Sequence, residues 1–162
     1  MGGEFMDIQD LDISKVISPA LVNLDLQATS KLEVIEELTD LLVETGAVAD
    51  KDAFIADVLY REEEGKTGLG EGVAIPHGKS ASVTSTSIAV GRTKKPVEWE
   101  SLDDKPVNII ILFAVKNSDA TTTHIKLLQK VAILLADDEV IGQFQTVKTK
   151  EDLIKLLAKN QD

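Results

Sequence analysis

Apolar residues recur at helical spacing from Ser30 to Thr45, where Leu32, Ile35, Leu38, Leu41 and Leu42 would share one face. Ser30 with Glu33 has the form of a capping box at the start of this helix, and Gly46 is a natural stop. A second helix is predicted from Lys51 to about Glu64, because Asp50 can cap it, Phe54, Ile55, Val58 and Leu59 share a face, and Gly65 follows. Arg61 falls in its last turns. The stretch from Gly65 to Gly72 also holds Gly68 and Gly70, which predicts a tight irregular loop with backbone conformations closed to other residues. Apolar character resumes at Val73 to Ile75, before Pro76. Ser87 to Arg92 and Val107 to Val115 read as strands, and the second is so apolar that it predicts a central strand buried on both faces. Helical spacing returns from about Thr122 to Ala136 at Ile125, Leu128, Val131, Ala132 and Leu135, with threonines before it as caps and His124 in its first turn. A last helix is predicted from about Lys150 to Lys159, capped by Thr149 together with Asp152 and burying Leu153, Ile154, Leu156 and Leu157. Helices and strands read as alternating, which predicts an α/β single domain with a mixed β-sheet.

Composition narrows the function classes. With 162 residues, 43% of them apolar, the chain has material for one sizeable core. Its 17 Lys and Arg stand against 28 Asp and Glu, a net charge of −11 that argues against nucleic acid or an anionic membrane surface and favours a basic protein partner. The absence of cysteine excludes a disulfide scaffold, a thiolate metal site and a cysteine nucleophile, and suits a cytoplasmic location. The longest apolar run, Ile109 to Val115, is far shorter than the roughly 20 residues of a spanning helix, so no direct membrane insertion is expected. Met1 to Phe5, followed by a second methionine at Met6, look like an expression remnant, with residues 6–162 as the domain.

Of the two histidines, His77 has the more unusual address, between Pro76 and Gly78. Proline fixes one torsion and glycine leaves the imidazole uncrowded, so the pair predicts a rigidly placed, accessible ring. A nucleophile needs that, because its nitrogen must meet a donor phosphorus in line. An unperturbed pKa of about 6.5 leaves such a nitrogen neutral at cytoplasmic pH. The competing reading is a structural histidine that ends a strand and hydrogen-bonds a nearby carbonyl. His124, at a helix start, lies where free N–H groups and the helix dipole favour an anion such as phosphate, although a plain exposed histidine fits the same position. Arg61 offers a guanidinium fork to phosphate oxygens, against the alternative of an ordinary surface ion pair with Glu62 to Glu64 or another acid. Glu62 to Glu64 themselves read as a solvated helix end without chemistry.

Gly65-Lys66-Thr67 invites comparison with a P-loop, but Tyr60 stands where that motif needs a glycine, and Gly68 and Gly70 follow where it needs a helix. The glycines also miss the dinucleotide-binding spacing. Two isolated histidines without cysteine make a metal site improbable.

Arg61-Glu62, followed by Thr67-Gly68-Leu69-Gly70-Glu71-Gly72-Val73-Ala74-Ile75-Pro76-His77-Gly78-Lys79, resembles the active-site signature of the enzyme IIA family of the fructose, mannitol and nitrogen-regulatory phosphotransferase systems. The resemblance extends more loosely from about Ile13 over nearly the whole chain. It implies a mixed sheet flanked by helices and a cycle in which the carrier HPr donates a phosphoryl group to His77, which passes it to a cysteine of enzyme IIB. His124 and Arg61 match the positions that stabilise the phosphohistidine, and no cofactor, nucleotide or metal is implied. Docking calls for an apolar surface around His77, to which Leu69, Val73 and Ile75 are candidate contributors. Leu69 and Lys79 look more like fructose-type members, working with a membrane enzyme IIC. The alternative is the nitrogen-regulatory branch, which signals by phosphorylation-dependent protein binding and transports nothing.

Overall fold

In the computed structural model, which describes residues 13–119 and 123–158, the elements run β1 (Val22–Leu26), α1 (Lys31–Glu44), α2 (Lys51–Glu64), β2 (Gly68–Gly70), β3 (Val73–Ala74), β4 (His77–Ser80), β5 (Ser87–Val97), β6 (Val107–Lys116), α3 (Thr123–Leu135), α4 (Asp138–Thr146) and α5 (Lys150–Leu157). The most apolar segment, β6, lies inside the sheet and is buried from Ile109 through Val115. Strand order is β1-β5-β6-β3-β2, with β4 also pairing with β6. β5 is antiparallel to β6, whereas β1 is parallel to β5 and both β3 and β4 are parallel to β6. β3 and β4 keep one register on β6, Val73 opposite Ile109 and His77 opposite Phe113, so they are two halves of a strand interrupted at Ile75-Pro76.

Helices cover both faces. Along β5, a Cβ on Gly91 would meet Leu38 of α1, while the next residue, Arg92, donates to the carbonyl of Phe144 in α4 at 3.0 Å. Successive strand residues point to opposite faces, which places α1 and α4 on opposite sides. The α/β class with a mixed sheet flanked by helices therefore holds in one domain, but strict alternation does not. After β1 come two helices, then the strands β2 to β6, then three helices. The hairpin β2–β3 and the antiparallel β5–β6 pair allow strands to follow one another directly, without crossover helices.

Several local expectations need correction. The glycine-rich segment is a hairpin, not an irregular loop: β2 pairs with β3 across Glu71 at φ 57 and Gly72 at φ 84. Helix α1 buries Val34, Ile35, Leu38, Thr39 and Leu42, and Leu32 is 45% exposed, because the packed face is turned from the one led by Leu32. Ser30 Oγ accepts from the Glu33 N–H at 3.2 Å, but the Glu33 carboxylate accepts from Thr29 instead of closing the box on Ser30. Gly46, at φ 84, ends α1 with a Schellman pair, its N–H on Val43 and that of Ala47 on Leu42. In α3 the buried set is Leu127, Val131, Leu134 and Leu135, with Ile125 and Ala132 exposed. Helix α2 follows its expected bounds, and α5 starts under its Thr149 cap with Leu153, Leu156 and Leu157 buried. Three elements, β1, β4 and α4, carried no clear sequence signal. β1 is interrupted by Asn23 and Asp25, and α4 is short and holds Gly142 between its buried Val140 and Phe144.

Candidate functional site

The site forms where the end of α2 meets the start of β4. Phe54 and Val58 bury the inner face of α2, and the helix lies so close to β4 that a Cβ on Gly78 would stand 2.7 Å from Val58 Cγ2 and 2.9 Å from Phe54 Cε1. Gly78 is thus needed for close approach of helix to strand, rather than for freedom or an uncrowded ring. One turn beyond Val58, Arg61 reaches the first residue of β4. Its Nε donates to His77 Nε2 at 3.1 Å, and its Nη1 donates to the Gly65 carbonyl at 3.3 Å.

These contacts define the state of the ring. An arginine N–H can only donate, so Nε2 is the bare nitrogen and the proton sits on Nδ1. Nδ1 lies 3.2 Å from the carbonyl oxygen of Ile75, which can only accept. That carbonyl is available because the Ile75-Pro76 step leaves the ladder, which resumes with the Phe113 N–H on the Pro76 carbonyl at 3.0 Å. The ring is only 8% exposed, more enclosed than a proline-glycine corner predicts, yet it lines an open pocket of about 530 Å³ with Asp57, Tyr60, Arg61, Glu64 and Lys79. A neutral nitrogen lone pair with a guanidinium against it can attack an electrophile and hold the anion that results. Arg61 and His77 are thus brought together. His124 lies in the first turn of α3, and its side chain is outside the described residues.

Glu62 departs from the solvated helix end expected of it. Glu63 and Glu64 are exposed, but the Glu62 side chain is only 4% exposed, with Oε1 2.6 Å from the Lys31 ammonium and Oε2 accepting from Thr67 Oγ1 at 2.6 Å. Thr67 Oγ1 accepts in turn from Trp99 Nε1 at 2.9 Å, and Lys31 also pairs with Glu100 at 2.7 Å. Burial works against the Lys31 charge, but the hydrogen bond to Glu100 and the nearby negative charge of Glu62 outweigh it and hold the ammonium above the ordinary lysine range. The signal was in the chain: Phe54, Val58 and Glu62 recur every fourth residue on the inward stripe. Val73 is core, and Leu69 and Ile75 pack partly against it; the large exposed apolar side chain at the pocket is Tyr60, 65% exposed. Among the described residues no cluster of His, Asp or Glu could hold a metal ion, and no helix is long and apolar enough to cross a membrane.

Residues 15–160 match the model of the family described as phosphoenolpyruvate-dependent sugar phosphotransferase system, EIIA 2. The 2-O-alpha-mannosyl-D-glycerate-specific EIIABC component of Escherichia coli is 37% identical over 135 residues, 83% of this chain, which spans only 20% of that longer relative. The fructose-specific EIIA component of Haloferax volcanii is 30% identical, covering 94% of this chain and 97% of the relative. The crystal structure of nitrogen regulatory protein IIA-Ntr from Neisseria meningitidis superposes with a TM-score of 0.83 at 32% identity, covering 90% of this chain and 98% of the other. The signature around His77, the mixed sheet that carries it and the match over residues 15–160 agree that this chain belongs to the EIIA type 2 family of the phosphoenolpyruvate-dependent sugar phosphotransferase system.

Proposed function

We propose that the domain of residues 6–162 is a cytoplasmic phosphocarrier that accepts a phosphoryl group on His77 Nε2 from phospho-HPr and passes it to a cysteine of an enzyme IIB, in fructose-type sugar transport with a membrane enzyme IIC. The observation that carries this reading is the bare Nε2 held 3.1 Å from the Arg61 Nε. In the first step the Nε2 lone pair forms a bond to phosphorus as the bond from phosphorus to the donor's nitrogen breaks, and the proton stays on Nδ1, donated in a hydrogen bond to the Ile75 carbonyl. Arg61 releases the lone pair and turns its N–H groups to the phosphoryl oxygens, whose charge it offsets. His124, from the N-terminal turn of α3, is assigned the same stabilising role. In the second step a thiolate displaces Nε2 from phosphorus. Net charge −11 favours encounter with a basic donor surface at low salt.

The nitrogen-regulatory reading has support in the likeness to IIA-Ntr. The two part on the fate of the phosphoryl group. Mixing the protein with phospho-HPr should label it by one phosphoryl group, and His77→Ala should take none; full labelling of that variant would refute the assignment. His124→Ala should label more slowly. Discharge of the labelled protein by a fructose-type enzyme IIB supports transport, and retention of the label favours the regulatory branch.

A further inference from the structure

We propose that Glu62 is a positioning residue: its buried carboxylate, gripped by Lys31 and Thr67, locks the last turn of α2 onto the hairpin that orients His77. On one side, Glu62 follows Arg61 in the chain, so whatever fixes Glu62 also fixes the base of the guanidinium that meets Nε2. On the other side, the carboxylate holds Thr67 Oγ1, the Thr67 carbonyl accepts from the Ile75 N–H at 2.9 Å, and the Ile75 carbonyl receives Nδ1. Both ring nitrogens are therefore tied to the same carboxylate by short paths. Trp99 closes the arrangement from behind. Its indole donates to Thr67, its ring lies 5.1 Å below the Lys31 ammonium, and the adjoining backbone is stitched to β2 by the Gly68 N–H on Glu100 and the Leu102 N–H on Gly68, each at 3.0 Å.

A leucine at position 62 would continue the apolar stripe of Phe54 and Val58 and serve packing alone. An ion pair with its carboxylate buried instead offsets much of its own attraction by desolvation, so its use lies in imposing one arrangement. Thr67 shows the same economy, since its hydroxyl both donates and accepts while 2% exposed. What the network imposes is the Arg61 Nε to His77 Nε2 separation and, with it, the Nδ1-protonated tautomer. Its kinetic consequence rests on His77 being the phosphoryl acceptor; its consequence for the ring does not.

The test reads the His77 ring in the unphosphorylated protein by nitrogen-15 NMR, beside the rate of labelling by phospho-HPr. The wild type should show one tautomer, protonated on Nδ1. Glu62→Ala should mix the tautomers and slow labelling about 10- to 100-fold, the loss expected when a reacting group shifts by up to about 1 Å. Glu62→Gln, which can still accept from Thr67 but loses the Lys31 pairing, and Thr67→Val, which loses both side-chain bonds at equal volume, should each lie between. They decide the matter if the alanine variant does not fold. A lowered melting temperature with the wild-type ring state would make the network mere scaffold and overturn the proposal. Failure of the wild type to take any label would instead overturn the phosphocarrier reading, and the ring spectra would still decide the role of Glu62.

Discussion

Two polar links tie helices to the sheet on its opposite faces, and they are built from different chemistry. Under α4 the link is neutral: Asn108 Nδ2 donates to Gln145 Oε1 at 2.6 Å and Gln145 Nε2 returns to Asn108 Oδ1 at 2.8 Å. Under α1 and α2 the link is charged, with Lys31, Glu62 and Glu100 joined through Thr67 to Trp99. Paired amides satisfy each other and carry no charge, so losing the pair frees only neutral, partly exposed groups that water can satisfy. The Glu62 carboxylate, 4% exposed, tolerates displacement poorly, because a lost partner leaves a buried charge uncompensated, whereas Glu100 stays largely in water. The charged link adjoins Arg61 through Glu62, and the neutral one joins the start of β6 to α4. Stability and positioning are thus expected to be separable in this molecule.

Substitutions on the two faces should separate them in turn. The largest effect is expected from Arg61→Ala, which removes a donor aimed at the reacting nitrogen and should slow phosphoryl transfer by about 10²-fold with the melting temperature nearly unchanged. Unchanged transfer rates in a quenched-flow assay would remove Arg61 from the site. Gly78→Ala should come next, because its Cβ would intrude on Val58 and Phe54. Overpacking of this kind costs about 1–3 kcal/mol, measurable by urea unfolding, and by displacing α2 it should slow transfer as well. The smallest effect should come from Asn108→Ala, which leaves the partly exposed Gln145 amide to water and should cost about 1 kcal/mol. Transfer should keep its wild-type rate in that variant. A fall in transfer matching that of Gly78→Ala would show the faces to be coupled and break the contrast.

Much of this was legible in the chain. Asp50, Phe54, Val58 and Gly65 delimit α2 by local capping and periodicity, and the apolar run of β6 announces a central strand. The signature placed His77 and Arg61 together as candidates before any coordinate did. Faces were read less well than elements. In α1 and α3 the apolar residues exceed what one face can bury, so Leu32 and Ile125, although at inward spacing, are exposed. β1 carries no clear local signal because its alternation is short and its polar positions become acceptable only beside β5.

What the sequence determined alone is what depends on neighbours along the chain: the bounds of α2, the caps at Ser30, Asp50 and Thr149, the need for positive φ among the glycines, and the residue types at the site. Tertiary structure decided which side chains meet across long separations: Arg61 with His77, Glu62 with Lys31, and Gly78 beneath Val58. The reason is physical. Periodicity records that a position faces inward, but the partner it finds there, and whether a buried charge is compensated, are set by how the layers close on one another.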